Sequence, residues 1–201
     1  MKKILIIATI LTANIFAFDS VTYFGGVNAE GELTIKSPTG EQKQQQGYKL
    51  VAGMELNNEL RNHKNIELGL GIKYEDYFRT DRKFWESGTY YDYGKVKFAA
   101  TVPVYATAKY KFILDRTSNV YVKGDLGYNF AINGDYQEDV QPNTNVEGGL
   151  YTGVGIGFEA NKVIGEINYN ISRVKYVDLY SVGRNYENAK VSETIGYKLD
   201  M

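Results

Sequence analysis

Apolar and polar residues alternate with a period of two in one segment after another of this 201-residue chain. In segment 47–56 the apolar or aromatic residues occupy every second position: Tyr48, Leu50, Ala52, Met54 and Leu56. Successive side chains of a β-strand point to opposite faces, so this period predicts strands with one apolar face and one polar face. Helical periodicity is nearly absent, and the predicted fold class is therefore all-β.

Eight segments carry this alternation, and the links between them are long and short in turn. The predicted strands span 20–28, 47–56, 66–77, 98–112, 120–132, 150–160, 163–176 and 191–201. Long loops at one end and tight turns at the other are typical of outer-membrane barrels, whose strands need about 9–11 residues to cross a bilayer. We therefore predict an eight-stranded antiparallel up-and-down transmembrane β-barrel with its long loops outside the cell.

The N-terminus, MKKILIIATILTANIFAFDS, differs from the rest of the chain. Two lysines, a short apolar run and then small residues follow the order of a secretory signal peptide. We predict that residues 1–17 form a signal peptide cleaved after Ala17 and that 18–201 form the barrel domain. A retained signal anchor is the alternative. Export in this way predicts a bacterial outer-membrane protein.

Composition narrows the possible chemistry. Lys and Arg number 23 against 24 Asp and Glu, so no strong field for nucleic acid exists. The chain has no cysteine and a single histidine, His63, which lies in the short link NNELRNHKN at the predicted periplasmic end. The lack of thiolates and the single imidazole predict no metal site and no cofactor. We also predict no catalytic residues, because general acid–base chemistry needs its groups within hydrogen-bond reach.

The polar faces are rich in glycine beside charges of both signs. Such a face fits the narrow interior of an eight-stranded barrel, although a soluble lipocalin-like barrel with its apolar side inward is an alternative. The predicted interior charge network consists of Glu67, Lys73, Lys109, Lys123, Asp125, Glu159 and Glu166, in a wider interior set with Lys49, Glu55, Glu75, Lys111 and Lys198. Glycines on the same faces are expected to leave room for the long charged side chains: Gly69, Gly71, Gly153, Gly155 and Gly157.

The chain resembles the small eight-stranded outer-membrane proteins of the OmpX/Ail and OmpA transmembrane-domain type. It shares their alternating strands, signal peptide, and long and short links in turn. The final strand, VSETIGYKLDM, carries the most specific likeness, although Met201 stands where that family usually has Phe. The resemblance implies recognition by the barrel-assembly machinery and contact with outer-membrane lipid and lipopolysaccharide.

The second long link holds the only tryptophan of the chain, among other aromatic and basic residues. The candidate external binding residues are Arg82, Lys83, Phe84, Trp85, Tyr90, Tyr91 and Tyr93. Trp, Tyr and Arg are the residue types that dominate binding interfaces. The alternative is that these rings prolong the β-sheet above the membrane or anchor at lipid headgroups.

The predicted function is structural or adhesin-like, through external loops that bind host or envelope surface molecules, without catalysis. A small pore is the first alternative, although a lumen filled with side chains predicts poor conduction. A lipid-A-modifying enzyme is a further alternative, but His63 lies at the wrong end of the barrel for it.

Overall fold

The computed structural model of the chain describes residues 18–29, 31–37, 40–46, 48–75, 79–86, 89–97, 99–133, 145–177 and 183–201. The predicted signal peptide, 1–17, lies outside the described residues. No helix among the described residues is long and apolar enough to cross a membrane.

Twelve strands make up the described structure. They are β1 (Ser20–Asn28), β2 (Gly31–Ser37), β3 (Gly40–Gln46), β4 (Lys49–Leu60), β5 (His63–Glu75), β6 (Arg79–Glu86), β7 (Thr89–Lys97), β8 (Ala99–Ile113), β9 (Ser118–Asn133), β10 (Asn145–Ala160), β11 (Val163–Val177) and β12 (Gly183–Asp200).

Eight of these strands form a closed antiparallel barrel in the order β1-β4-β5-β8-β9-β10-β11-β12, and β12 pairs with β1 to complete it. The predicted fold class and the eight barrel strands are therefore confirmed. Several strands are longer than predicted: β12 begins at Gly183 and β10 at Asn145. Hydropathy alternation stops where outward positions become polar, whereas backbone pairing continues beyond that point.

Short connections join the strands at one end of the barrel, which we call the turn end. Arg61 and Asn62 separate β4 from β5, and Asn161 and Lys162 separate β10 from β11. Asn161 and Lys162 both have positive φ, 49° and 73°, as a two-residue hairpin turn of type I′ requires. His63 begins β5 rather than lying in a turn, which corrects the predicted position, and its side chain is exposed.

At the opposite end, the loop end, two predicted loops are β-hairpins. β2 pairs with β3 and with the upper part of β12, where Ala189 lies opposite Glu32. β6 and β7 form a separate two-stranded sheet. Strongly polar strands lack the alternation that marks the barrel strands, so their sequences predict loops. We call β2–β3 and β6–β7 the loop-end hairpins.

The barrel strands turn their apolar faces outward. The outward positions form an apolar belt, which comprises every second residue of 21–27, 50–56, 66–74, 102–112, 120–132, 150–158, 163–171 and 191–199. Tyr48, just above the belt, is 74% exposed, and Leu126 within it is 61% exposed. A soluble lipocalin-like barrel needs the inverse arrangement, and the described strands do not have it.

Candidate functional site

The centre of the barrel interior is occupied by one carboxylate with three donors. Glu55 on β4 accepts a hydrogen bond from the Tyr105 hydroxyl at 2.9 Å. Its two oxygens also lie 2.7 Å from Lys109 Nζ and 2.6 Å from Lys123 Nζ. All four side chains are buried. A buried charge needs this degree of pairing, because an unpaired one is strongly unfavourable.

A second carboxylate lies nearer the turn end. Glu67 Oε1 is 3.3 Å from Lys109 Nζ, and its Oε2 is 2.5 Å from Lys111 Nζ and 2.9 Å from Lys198 Nζ. Lys111 also contacts the half-exposed Glu59 at 2.8 Å. Lys109 therefore joins the central group to the turn-end group, and the ion pairs form one continuous network.

Glu166 extends the network across the interior from β11. It lies 3.2 Å from Lys123 Nζ and accepts a hydrogen bond of 2.5 Å from the Tyr121 hydroxyl. The amide of Asn168 donates to the same carboxylate at 3.1 Å. Lys123 thus bridges two acids, Glu55 and Glu166, that belong to different strands.

The loop-end side of the interior has its own acid, Glu75. Lys73 Nζ lies 2.9 Å from it, Lys190 Nζ contacts its other oxygen, and the Thr101 hydroxyl donates to it at 3.1 Å. Every one of these side chains is buried. Together with the ion pairs of Glu55, Glu67 and Glu166, this cluster makes up what we call the lumen network.

Three buried tyrosines fill the space between the charges. Tyr105, Tyr121 and Tyr151 are 3%, 1% and 0% exposed. The rings of Tyr105 and Tyr151 lie 5.3 Å apart, and Lys73 Nζ is 4.8 Å from the Tyr151 ring centroid, within cation–π distance. The rings therefore separate the ion pairs while stabilising their cations.

A chain of hydrogen bonds continues from Tyr151 around the wall. Its hydroxyl donates to Asn170 Oδ1 at 2.6 Å, and the Asn170 amide donates to Ser192 Oγ at 2.8 Å. The Ser192 hydroxyl in turn donates to Asn28 Oδ1 at 2.5 Å. These contacts cross β10, β11, β12 and β1, so polar pairing reaches around half of the barrel.

Two of the five interior glycines make room for tyrosine rings rather than for long charged side chains, which corrects the prediction. At Gly69, Gly153 and Gly155 a Cβ would instead meet the side chains of Asn57 and Thr107, Asn170 and Asp125, and Asn168. A Cβ at Gly71 would overlap the ring of Tyr105, and one at Gly157 would overlap the ring of Tyr121. Neither glycine has the positive φ that would require it on backbone grounds. Steric fit to a large neighbour therefore accounts for both positions.

The structure brings most of the predicted interior residues together. Glu67, Lys73, Lys109, Lys123 and Glu166 all make ion pairs within the lumen network. The two remaining predicted residues are more loosely placed: Asp125 lies 3.8 Å from Lys123 Nζ, and the half-buried Glu159 lies 3.7 Å from Lys198 Nζ.

Sequence reasoning missed Lys190 and the inward tyrosines. Lys190 lies one position before the predicted start of the last strand, and the polar residues at every second position around it, Asn188, Ser192 and Thr194, continue the polar face. Tyr105, Tyr121 and Tyr151 stand at the alternate positions of their strands that face inward. This position in the alternation is the signal that could have located them. Because many other tyrosines lie on the outer face, the residue type alone does not distinguish the inward ones.

The loop-end candidates lie on β6 and β7, of which the structure describes the backbone. The register places Phe84 opposite Tyr91 and Trp85 opposite Tyr90. The register therefore places two aromatic pairs at neighbouring positions of the hairpin backbone. The pairing shifts between Asp81 and Lys83, so Arg82 lies at an irregularity of the ladder, and Tyr93 lies outside the regular pairs.

The other loop-end hairpin carries an exposed ion pair. Lys43 Nζ on β3 lies 2.8 Å from Glu32 Oε1 on β2. The hydrogen bond from Lys43 holds the pKa of the Glu32 carboxyl below its usual value of 4.5. No group of three or more metal-ligating side chains occurs among the described residues.

The closed barrel, the apolar belt and the polar interior give this chain the fold of the small eight-stranded outer-membrane barrels. Two of the solved structures that share it are OprG and NspA. The outer membrane protein OprG from Pseudomonas aeruginosa is 10% identical, with a TM-score of 0.54 over 92% of this chain and 97% of that chain. Neisserial surface protein A (NspA) is 11% identical, with a TM-score of 0.51 over 90% and 97%.

No protein-family model matches the chain, and no curated protein matches it in sequence. The likeness to the solved structures is one of fold. Function is therefore inferred from the residues of this chain.

Proposed function

We propose that this chain is an outer-membrane protein that binds surface molecules through its loop-end hairpins and whose lumen is closed to solutes. The observation that carries the proposal is the contrast between an interior filled by ion pairs and an end extended by polar and aromatic hairpins. The apolar belt supports the membrane location, since such an exposed band is stable against hydrocarbon and unstable against water.

The lumen network supports the absence of a conducting path. An eight-stranded barrel has an interior just wide enough for its own side chains. Glu55, Tyr105, Lys109 and Lys123 meet at its centre with contacts of 2.6–2.9 Å. A solute would have to separate these paired charges in order to pass.

The β6–β7 hairpin supports the binding role. It carries Trp85 and three tyrosines in a short segment, together with more basic than acidic residues. Rigid aromatic side chains beside cations supply large contact area and strong polar contacts at protein interfaces. We infer that the partner carries negative charge, as lipopolysaccharide and many host surfaces do.

The binding role is tested on cells that display the full chain. Trp85→Ala with Tyr90→Ala removes one of the cross-strand aromatic pairs of the hairpin. We expect adhesion to lipopolysaccharide-coated beads and to cultured host cells to fall at least about tenfold, as loss of a binding hot spot predicts. Heat-dependent gel mobility of the barrel should stay unchanged.

The matched control removes another aromatic pair at the turn end. The rings of Tyr110 and Phe112 on β8 lie 5.1 Å apart, so Tyr110→Ala with Phe112→Ala removes two aromatic side chains far from the hairpin. Adhesion should persist in this control. Equal adhesion by the wild type and by cells without the protein would overturn the binding role.

The alternatives have tests of their own. Planar-bilayer recordings of the wild type should show no stable open channel, and a large steady conductance would replace the proposal with a pore. Mass analysis of lipid A should show the same acyl pattern with and without expression. An altered pattern would establish catalysis and contradict the prediction that the protein is not an enzyme.

A further inference from the structure

A polar cavity of about 530 Å³ lies at the turn end, in the mouth of the barrel. Residues of the β4–β5, β8–β9 and β10–β11 corners and of the end of β12 line it, among them Lys64, Arg116, Asn161 and Asp200. A backbone hydrogen bond of 3.0 Å from the Asn161 N–H to the Thr117 carbonyl holds two of these corners together. Small-ligand sites have volumes of about 300–1,000 Å³, so this turn-end cavity is large enough for a short peptide.

The lumen network forms the floor of the turn-end cavity. Lys111 and Lys198 line the inner side of the cavity, and both are bound to Glu67, at 2.5 Å and 2.9 Å. Both lysines are buried. A solute that enters from the turn end therefore reaches paired charges and stops there, as it would in a binding site and not in a pore.

The acidic side chains that line the cavity already have partners within the chain. Each of the four pairs with a neighbour: Glu59 with Lys111 at 2.8 Å, Asp200 with Lys162 at 2.9 Å, Asp115 with the Thr117 N–H at 2.7 Å and Glu159 with the Asn119 amide at 3.3 Å. The cavity therefore has no carboxylate that lacks a donor.

Two cations of the same cavity, Lys64 and Arg116, differ from these acids. Both side chains are exposed, and neither makes an ion pair or a side-chain hydrogen bond with any described residue. The positive charge that remains favours an anionic ligand. The planar guanidinium of arginine presents a fork of donors that matches a carboxylate with two parallel hydrogen bonds.

The cavity also contains a buried acceptor without a donor. Asn119 lines the cavity, and its Oδ1 is shielded from solvent and has no hydrogen-bond partner among the described residues, whereas its Nδ2 donates to Glu159. Buried polar side-chain atoms are nearly always satisfied, so this oxygen calls for an N–H or O–H donor from outside the chain. An anionic ligand that also carries an N–H fulfils both requirements.

A peptide with a free carboxylate has this combination of groups. The inference rests on the predicted orientation, which places the turn end in the periplasm, and not on the loop-end hairpins. Residues that face into the mouth are out of reach of the surrounding lipid, so the ligand comes from the aqueous side. We propose that the turn-end cavity binds carboxylate-bearing peptides of the cell wall, with Arg116 and Lys64 on the carboxylate and Asn119 Oδ1 on a peptide N–H.

Peptide titration of the folded full chain in detergent tests the site. The probe is a fluorescently labelled cell-wall tetrapeptide with free carboxylates, and its comparison is the same peptide with every carboxylate converted to a carboxamide. We expect the carboxylate form to bind at least about tenfold more tightly, because hydrogen bonds to a charged group are the stronger kind. Fluorescence polarisation measures both affinities.

One pair of arginine variants tests the carboxylate contact. Arg116→Gln should lower the affinity for the carboxylate form about tenfold and remove its advantage over the carboxamide form. Arg61→Gln is the matched control, because Arg61 is also an exposed arginine of the turn end but does not line the cavity. It should leave both affinities unchanged.

A pair of asparagine variants tests the second contact. Asn119→Leu removes the Oδ1 acceptor and should lower the affinity for both peptide forms about fivefold, while the preference for the carboxylate form persists. Asn65→Leu, at an exposed position of β5 outside the cavity, should change neither affinity. Heat-dependent gel mobility of every variant shows whether its barrel is folded, so loss of the peptide site is distinguished from loss of the fold.

Co-sedimentation with isolated cell-wall sacculi tests the source of the peptide. We expect the full chain to sediment with intact sacculi and to stay in solution with sacculi whose peptides have been removed by an amidase. Equal binding to both would assign recognition to the glycan and reject the peptide. Binding of the soluble tetrapeptide without binding of sacculi would reject the cell wall as the source.

Other outcomes overturn the site itself. Equal affinity for the carboxylate and carboxamide forms does so, as do equal losses with Arg116→Gln and Arg61→Gln. Displacement of the peptide by inorganic phosphate at the same concentration would assign the two cations to a phosphate ligand. Adhesion through the loop-end hairpins is measured on the same variants and should stay unchanged, so the two binding roles fail or succeed independently.

Discussion

The barrel and its loop-end hairpins have the same kind of secondary structure and opposite means of stabilisation. Each barrel strand has a hydrogen-bonded neighbour on both edges, whereas β3 has one partner among the described strands and β6–β7 is a sheet of two. Inside the barrel, Glu55 and its lysines are fully buried, while the Lys43–Glu32 pair of the hairpin is about half exposed.

This contrast separates stability from function. Closure and buried pairing determine the barrel so completely that substitutions inside it affect folding. The hairpins contribute little to that closure, so their surface can change without loss of the fold, as is usual for loops that carry function. Removing buried and exposed groups of the same type should therefore give very different results.

The largest effect is expected at the centre of the lumen network. Glu55→Gln leaves Lys109 and Lys123 buried without their main counter-charge, which should lower the free energy of unfolding by about 3–5 kcal/mol. Urea unfolding in lipid vesicles measures this change. Glu32→Gln on the hairpin is the matched control and should leave the unfolding curve unchanged, because exposed pairs contribute little. Equal effects of the two substitutions would refute the contrast.

A smaller effect is expected from steric crowding of the interior. Gly71→Ala places a methyl group against the ring of Tyr105, which must then move away from Glu55. Overpacking of this kind should lower the free energy of unfolding by about 1–3 kcal/mol. Gly124→Ala, at an open outward position, should change it by less than about 0.5 kcal/mol. An unchanged free energy of unfolding for Gly71→Ala would mean that the Tyr105 ring is not confined.

The smallest effect concerns the exposed pair of the β2–β3 hairpin. The pKa of Glu32 is lowered, so its stabilising contribution is present above the pKa of the unfolded chain and is lost as the pH falls through the lower, folded value. Lys43→Met should return the Glu32 titration midpoint toward 4.5, as followed by carboxyl NMR shifts.

Asp115 provides the control for that titration. Its pKa is also lowered, by the backbone N–H of Thr117 in the β8–β9 connection, and no contact with Lys43 contributes. The Asp115 midpoint should therefore be the same with and without Lys43→Met. A shift in both midpoints would indicate a change in the whole molecule rather than the loss of one pair.

The sequence was sufficient to predict the barrel because closure imposes a simple pattern. A strand that faces lipid on one side and a narrow lumen on the other must alternate, and 47–56 does so except at the inward Val51. The charged residues of the opposite face, such as Glu67 and Lys109, follow from parity. The pattern ends where both faces become polar, so β2 and β3 could not be recognised by alternation.

Which interior groups pair with each other was beyond sequence reasoning. Glu55 and Lys123 lie on β4 and β9, which are not adjacent in the barrel, and their contact depends on the curvature of the wall. The match of Gly71 to Tyr105 likewise depends on register between strands. The alternation along a strand assigns a residue to the lumen. Its ion-pair or packing partner is decided by the register and curvature of the closed barrel.

The link from Lys109 to both Glu55 and Glu67 has a consequence for the order of biogenesis. The partners lie on β4, β5 and β8, and the contact from Lys123 to Glu55 spans 68 residues of the chain. A hairpin inserted alone would carry unmatched charges into the bilayer, at high energy. We therefore expect these strands to meet before or during insertion, so that the wall enters the membrane as one cooperative unit and not strand by strand.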